Sequence, residues 1–279
     1  MLVPRTQCLG VAPPTKTLTH PARMIVLLSP AKTLDFSPAD VADVTQPRLL
    51  EQTAQLAATL RKKSPKKLQE LMSISSQLAE QNAARFQAFD EPDSLASAKP
   101  ALLAFRGDVY RGLDVDTFEP GDLAYAQDHV RVLSGMYGLL RPTDLIQPYR
   151  LEMGTQLKVG RKKNLYEFWG DRITELLRAD IESTGAQFVL NAASKEYMGS
   201  VDTAKLGVPV IEADFRERRG GKLKFITFNA KVARGKLAQL VVRERIESLA
   251  GFVDLDVNGY AYDEARSTAQ VVAFTKECD

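Results

Sequence analysis

Leu133-Ser134-Gly135-Met136-Tyr137-Gly138, LSGMYG, has the Leu-x-Gly-x-x-Gly shape of a tight, glycine-bearing turn, and the reading of its flanks sets the architecture. Before it runs GDLAYAQDHVRVL (Gly121 to Leu133), an amphipathic helical pattern; after it comes LLRPTDL. The glycines permit φ > 0, so the segment reads as a helix-hairpin-helix element. In such an element amides near Ser134, Gly135 and Gly138, with Arg141 beside them, face a phosphate and read backbone rather than bases. Pro142 stands where the second helix is due, so that helix either starts there or keeps one free turn before it. The same glycines would also serve a structural corner between helices, or the floor of a smaller ligand site.

Outward from this turn, MIVLL (Met24 to Leu28) is a strand-length apolar burst, followed by the loop SPAKTLDFSP. Leucines and alanines recur at three and four over Pro47 to Lys62 and Lys66 to Phe86, which predicts helices. ALLAF (Ala101 to Phe105) fits a strand or a helical turn, and LYEFWGDRITELLRADI (Leu165 to Ile181) reads as another helix. The last third is β-rich: QFVLNAAS, PVIEADF, LKFITF and AQVVAF are apolar, β-branched runs bounded by turn residues. Between the last two lies the helix AKVARGKLAQLVVRERIESL. Strands separated by helices predict an α/β (mixed α+β) fold, a mixed sheet flanked by helices. No linker or repeat interrupts residues 24–279, which read as one domain. Residues 1–23 carry four prolines and no acid, and read as an unstructured leader or as a mis-assigned start with translation beginning at Met24.

At 279 residues, 44% hydrophobic and 26% charged, the chain can bury a full core. No apolar run approaches the roughly 20 residues of a membrane helix, so a soluble, cytoplasmic protein with no membrane partner is expected. Cys8 and Cys278 sit near opposite ends, which fits a reducing compartment rather than a disulfide framework. His20 and His129 form no zinc-type spacing with them, so neither metal nor cofactor is expected. The net charge of +2 nominates no partner, but its distribution does: RKKSPKK, KVGRKK, RERRGGKLK and KVARGK are basic runs that would make an anion-attracting face if the fold gathered them.

Four groupings could carry chemistry. Ser29-Pro30-Ala31-Lys32 follows the first strand and has the Ser-x-x-Lys spacing of some acyl-transfer enzymes, without their partner signatures. Lys32 there is an anion-contact candidate, because open α/β sheets place ligands at strand exits. LNAASKEY groups Asn191, Ser194 and Lys195 at a second exit, with Ala192 and Ala193 small enough for close approach and Ser194 equally able to cap a helix. Lys231 and Arg234 lie three apart near the start of a helix, where the macrodipole disfavours cations unless an anion joins them. In QPYRLEMG, Arg150 and Glu152 share a face of an extended segment; the pair is usually structural, yet Glu152 is the best general-base candidate in the chain. Trp169, the single tryptophan, reads as core. G-x-G-x-x-G after a strand, the Walker motif, H-E-x-x-H and G-x-S-x-G are all missing, so dinucleotide, P-loop and familiar hydrolase chemistries are poor guesses.

MIVLLSPAKTLDF, FRGDVYRGL, LSGMYGLLRPTDLIQPYRLEMG, LYEFWGD, NAASKEY and AKVARG, in this order across residues 24–279, closely resemble the YaaA family of bacterial peroxide-resistance proteins. The resemblance implies a cytosolic protein of the hydrogen-peroxide response that limits damage to DNA and protein and lowers unincorporated iron. It further implies a single mixed α/β domain with a basic cleft, a helix-hairpin-helix element and binding of double-stranded DNA. On that basis Lys32, Ser134, Gly135, Gly138, Arg141, Arg150, Lys195, Lys231 and Arg234 are the expected phosphate contacts, made without sequence preference. The alternative is an enzyme acting on a small phosphorylated or nucleotide-like molecule, with Glu152 as acid or base.

Overall fold

The structure, a computed structural model, describes residues 23–41, 43–90 and 98–278. The leader reading, with Cys8 and His20, falls outside the described residues apart from Arg23.

An eight-stranded mixed sheet organises the chain. Its strands are β1 (Met24–Leu28), β2 (Val130–Ser134), β3 (Gly138–Leu140), β4 (Phe188–Asn191), β5 (Val210–Arg219), β6 (Lys222–Lys224), β7 (Ala261–Tyr262) and β8 (Val271–Cys278). They lie in the order β7-β8-β5-β4-β1-β2-β3, with β6 also paired to β5. The five central strands are parallel, and the three peripheral ones join by antiparallel pairing. β1 is buried at all five positions, which is why MIVLL reads as a continuous apolar run: covered parallel strands need apolar residues on both faces. β5 instead alternates half-buried and buried positions, so one of its faces is less covered.

The helices that matter for the site are α1 (Leu50–Arg61), α2 (Pro65–Met72), α3 (Ser76–Ala88), α4 (Asp108–Leu113), α5 (Pro120–His129), α6 (Arg172–Thr184) and α7 (Thr227–Arg243). α5 packs on β1, α7 on β5 and α4, and α6 on β3. One hydrophobic core runs from Met24 to Phe274, so the mixed α/β single domain is as expected. A buried Arg48–Asp180–Arg131 group, with contacts of 2.5 and 2.6 Å, ties α6 to β2 and to the chain ahead of α1. Desolvation raises the Asp180 pKa, but the two guanidinium groups outweigh it and hold the carboxyl below its ordinary value.

The LSGMYG turn differs from the expectation. α5 ends at His129, the chain enters β2, and residues 135–137 close an antiparallel hairpin in which Ser134 pairs with Gly138. VRVLS carries β-branched residues in alternation, and a strand won over the helical pattern that precedes it. The whole turn is buried. Ser134 Oγ accepts from the amides of Met136 and Tyr137 and shares a 2.7 Å hydrogen bond with Tyr149 Oη. Gly138 has φ +74°, and a Cβ there would stand 3.1 Å from the Trp169 ring. Ser134, Gly135 and Gly138 are therefore core residues, with no exposed amides to offer a phosphate. Arg141 is likewise committed: its backbone and guanidinium bond Asp144, and Nη2 reaches the Gln46 carbonyl.

Two helices joined by a tight turn occur elsewhere. The pattern over Lys66 to Phe86 is broken at Ser73, a left-handed residue with φ +52°, into α2 and α3. Ser64 and Ser75 cap the two helices through their side chains, and buried Ile74 anchors the turn.

Candidate functional site

β1 and β4 are neighbours whose chains lead away in opposite directions along the sheet, β1 to β2 and β4 to β5. A crevice opens outside their carboxyl ends, the position where open α/β sheets hold ligands. The two exits are Ser29 to Lys32 and Ala192 to Lys195, and the Ser194 amide donates to Ser29 Oγ at 2.9 Å. Around them lies a cleft of about 430 Å³, within the range of small-molecule sites.

Three further segments complete its walls. The start of α4 supplies Arg106, Gly107 and Asp108, the stretch after β3 supplies Tyr149 to Glu152, and α7 supplies Lys231 and Arg234. α4 and α7 meet backbone to backbone. A Cβ on Gly112 would lie 1.9 Å from the Val232 carbonyl oxygen, and one on Gly235 would lie 1.8 Å from that of Val109. Nothing larger than glycine permits this crossing, which brings FRGDVYRGL and AKVARG together. The buried hairpin supports the opposite wall: a Cβ on Gly135 would lie 2.4 Å from the Leu151 carbonyl oxygen. Trp169 Nε1 donates to the Gly135 carbonyl at 3.1 Å and fixes the turn against that wall.

Five cations, Lys32, Arg106, Arg150, Lys231 and Arg234, face three carboxylates, Asp108, Glu152 and Glu196. Glu152 sits 2.7 Å from Lys32 Nζ and 3.5 Å from Arg150 Nη2, so the shared face expected of Arg150 and Glu152 is present. Lys231 lies 3.9 Å from Asp108, and Arg234 lies 3.9 Å from Glu212. Nε of Arg150 and Nε of Arg234 are buried without a hydrogen-bond partner among the described residues. Burial lowers the Arg234 pKa against the opposing pull of Glu212 and Asp214. Burial also pushes the Tyr110, Tyr149 and Tyr197 phenols up, so at neutral pH they stay uncharged and act through hydrogen bonds; Tyr110 donates to the Ser29 carbonyl at 3.1 Å. Such an arrangement can bind an anion against a partly aromatic wall, with Glu152 held between two cations at its edge.

Of the residues expected from sequence, Lys32, Arg150, Glu152, Lys231 and Arg234 thus converge on one cleft. Lys195 is exposed at the start of a short helix beside it and does not line it. Arg106, Asp108 and Glu196 were missed. The available signal was the pair of glycines inside helices, Gly112 and Gly235, which marks a close backbone approach. Glu196 Oε1 accepts from the Gly154 amide at 2.8 Å and so braces the Tyr149 to Glu152 wall.

A second basic feature is the α2–α3 pair. Lys62, Lys66 and Lys67 are exposed and Lys63 is half-buried around the start of α2, one helix length before the turn, while Ser73, Ser75 and Ser76 are exposed on it. Among the described residues no three His, Cys, Asp or Glu side chains are grouped to hold a metal, and no helix is long and apolar enough to cross a membrane.

A central parallel sheet with a cation-lined cleft at its switch point defines an open α/β ligand-binding architecture, and the comparisons supply the family. The model of the peroxide stress protein YaaA family matches residues 24–266, and the chain belongs to that family. UPF0246 proteins of Hahella chejuensis and Cellvibrio japonicus are 44% and 46% identical over 255 residues, covering 91% of this chain and 100% and 99% of theirs. A UPF0246 protein of Burkholderia vietnamiensis is 46% identical over 256 residues, again 91% of this chain and 98% of its own.

Proposed function

We propose that the protein acts in the cytoplasm during peroxide stress by binding duplex DNA through phosphate contacts, largely without sequence preference. Covering DNA in this way protects it from oxidative damage, alongside the fall in unincorporated iron that the family resemblance implies. The observation that carries this reading is the exposed α2–α3 pair, with four lysines at and just ahead of the start of α2 and left-handed Ser73 joining the two helices. These lysines flank the amino-terminal amides of α2, and charge and amides together suit a backbone phosphate. This assigns the phosphate role sought at LSGMYG to a different segment. Lys66→Gln plus Lys67→Gln should weaken duplex binding equally across sequences and flatten the log-affinity against log-salt slope by about 1.8, some 0.9 per lost contact. Binding that ignores salt, that depends strictly on sequence, or that is unchanged in the double variant would overturn the reading.

A second reading, an enzyme acting on a phosphorylated or nucleotide-like small molecule, is favoured by the cleft. Its volume suits a small ligand and cannot admit a duplex, and Glu152 is placed for proton transfer.

A further inference from the structure

Three residues of α7 spaced by three, Phe228, Lys231 and Arg234, wind from solvent into the cleft. Each step of three residues advances about 4.5 Å along a helix and turns about 60° around it, and exposure follows the turn. Phe228 is 51% exposed, the Lys231 side chain 49% and the Arg234 side chain 14%. The outer ring does not line the cleft itself but is tied to its rim through Arg111. The Arg111 guanidinium lies 4.8 Å from the Phe228 centroid, Arg111 is bonded to Asp108 at 2.9 Å, and Asp108 is both a lining residue and the neighbour of Lys231. An exposed ring stacked with a cation beside an anion-binding cleft suits a flat, π-bearing group. At the inner end, the Arg150 and Arg234 side chains, 18% and 14% exposed, bring two guanidinium groups to the cleft wall. An anion with several acceptor oxygens suits two guanidinium groups, and the neighbouring Lys32 and Lys231 add charge.

We propose that this cleft binds a nucleoside monophosphate unit, its phosphate against Arg150 and Arg234 and its base stacked at the rim on Phe228. The assignment rests on the small-ligand reading of the cleft and names its ligand class; it is independent of duplex contacts at the α2–α3 pair. The unit can be a free nucleotide or one nucleotide of an unpaired strand, which share the same chemistry.

The test is calorimetric titration of the full chain with inorganic phosphate, deoxyadenosine, deoxyadenosine 5′-monophosphate and a short single-stranded oligodeoxyadenylate. Wild type should bind the monophosphate at least tenfold tighter than either phosphate or the nucleoside. Phe228→Ala, an exposed change that spares the core, should reduce the monophosphate about tenfold, as expected for one lost stack, and leave phosphate unchanged. Arg234→Gln should weaken both, and Arg234→Lys should restore part of the loss. The oligonucleotide arm assigns the source: tighter binding than the monophosphate places an unpaired strand in the cleft, and equal binding places a free nucleotide there. Equal affinity of wild type for phosphate and monophosphate, or a Phe228→Ala variant that binds the monophosphate as wild type does, overturns the nucleotide assignment while sparing the small-ligand reading. Failure of every probe to bind overturns both.

Discussion

Replacing Gly235 by alanine separates two arguments that predict opposite signs. Helix propensity alone says that alanine in the interior of α7 stabilises the chain by about 0.5–1 kcal/mol. The structure says the reverse. The new methyl would stand 1.8 Å from the Val109 carbonyl oxygen and 2.7 Å from the Leu113 amide nitrogen, where real Cβ atoms essentially never come closer than 3.0 Å. The blocking atoms are backbone, so no rotamer change relieves them, and α4 and α7 must part by about 1.2 Å, the gap between 1.8 and 3.0 Å. Overpacking of this kind costs about 1–3 kcal/mol, and a backbone obstacle belongs at the upper end. After the propensity gain is subtracted, a net loss of about 2 kcal/mol remains. Urea denaturation should therefore show a lower midpoint with an unchanged slope. Gly121→Ala on α5 is the control, since its methyl would meet only the Arg245 guanidinium at an ordinary 3.6 Å; it should be neutral or stabilising. A Gly235→Ala chain as stable as wild type would refute the claim that this crossing fixes one wall of the cleft.

Other substitutions probe the remaining supports. Ser134→Ala removes the acceptor of two buried amides and the partner of Tyr149, and should cost about 2–3 kcal/mol by the same denaturation assay; a loss below about 0.5 kcal/mol would show that the hairpin does not depend on it. Glu217 is buried beneath Asn229, Tyr260 and Arg219, whose hydrogen bonds overcome desolvation and bring its pKa from 4.5 down to about 2. A folded pKa below the unfolded one contributes stability that is fully present above about pH 4.5 and lost as pH falls through about 2. Glu217→Gln should accordingly flatten the acid limb of the stability–pH curve, and an acid limb unchanged in that variant would remove Glu217 from the account.

The central strands were legible because covered parallel strands leave an unmistakable trace: MIVLL and QFVLN are apolar runs bounded by turn residues, and both form. Breaks inside helical periodicity were not. Leu165 to Ile181 keeps its apolar spacing through Gly170, whose φ of +51° nevertheless ends one helix before α6 begins. Ser73 splits α2 from α3 in the same way without a glycine or proline to announce it. LKFITF, which reads as one strand, is divided between the end of β6 and the first turn of α7, where Thr227 and Phe228 are already helical. For the site, residues on strand exits could be placed because sheet topology dictates where exits point. Arg106 and Asp108 could not, since their position depends on a contact between Gly112 and Gly235 that joins distant parts of the chain. Gly135 and Gly138 show the converse error: glycines that allow close approach were read as serving a ligand, and they make room instead for the Leu151 backbone and the Trp169 ring.

The placement of β1 also bears on how the chain reaches this state. Its five buried residues are made before both partner strands, since Val26 pairs with Val130 on one side and Leu190 on the other. Pairings of such long sequence separation close slowly, because loop entropy is lost before the contacts form. Until β2 and β4 have been made, MIVLL is an apolar strand with two open edges, the kind of segment that draws non-native pairing. The strand that organises the finished cleft is thus the segment most in need of protection while the chain is incomplete. Refolding yield should respond more to charge placed beside β1 than to any change at the cleft itself.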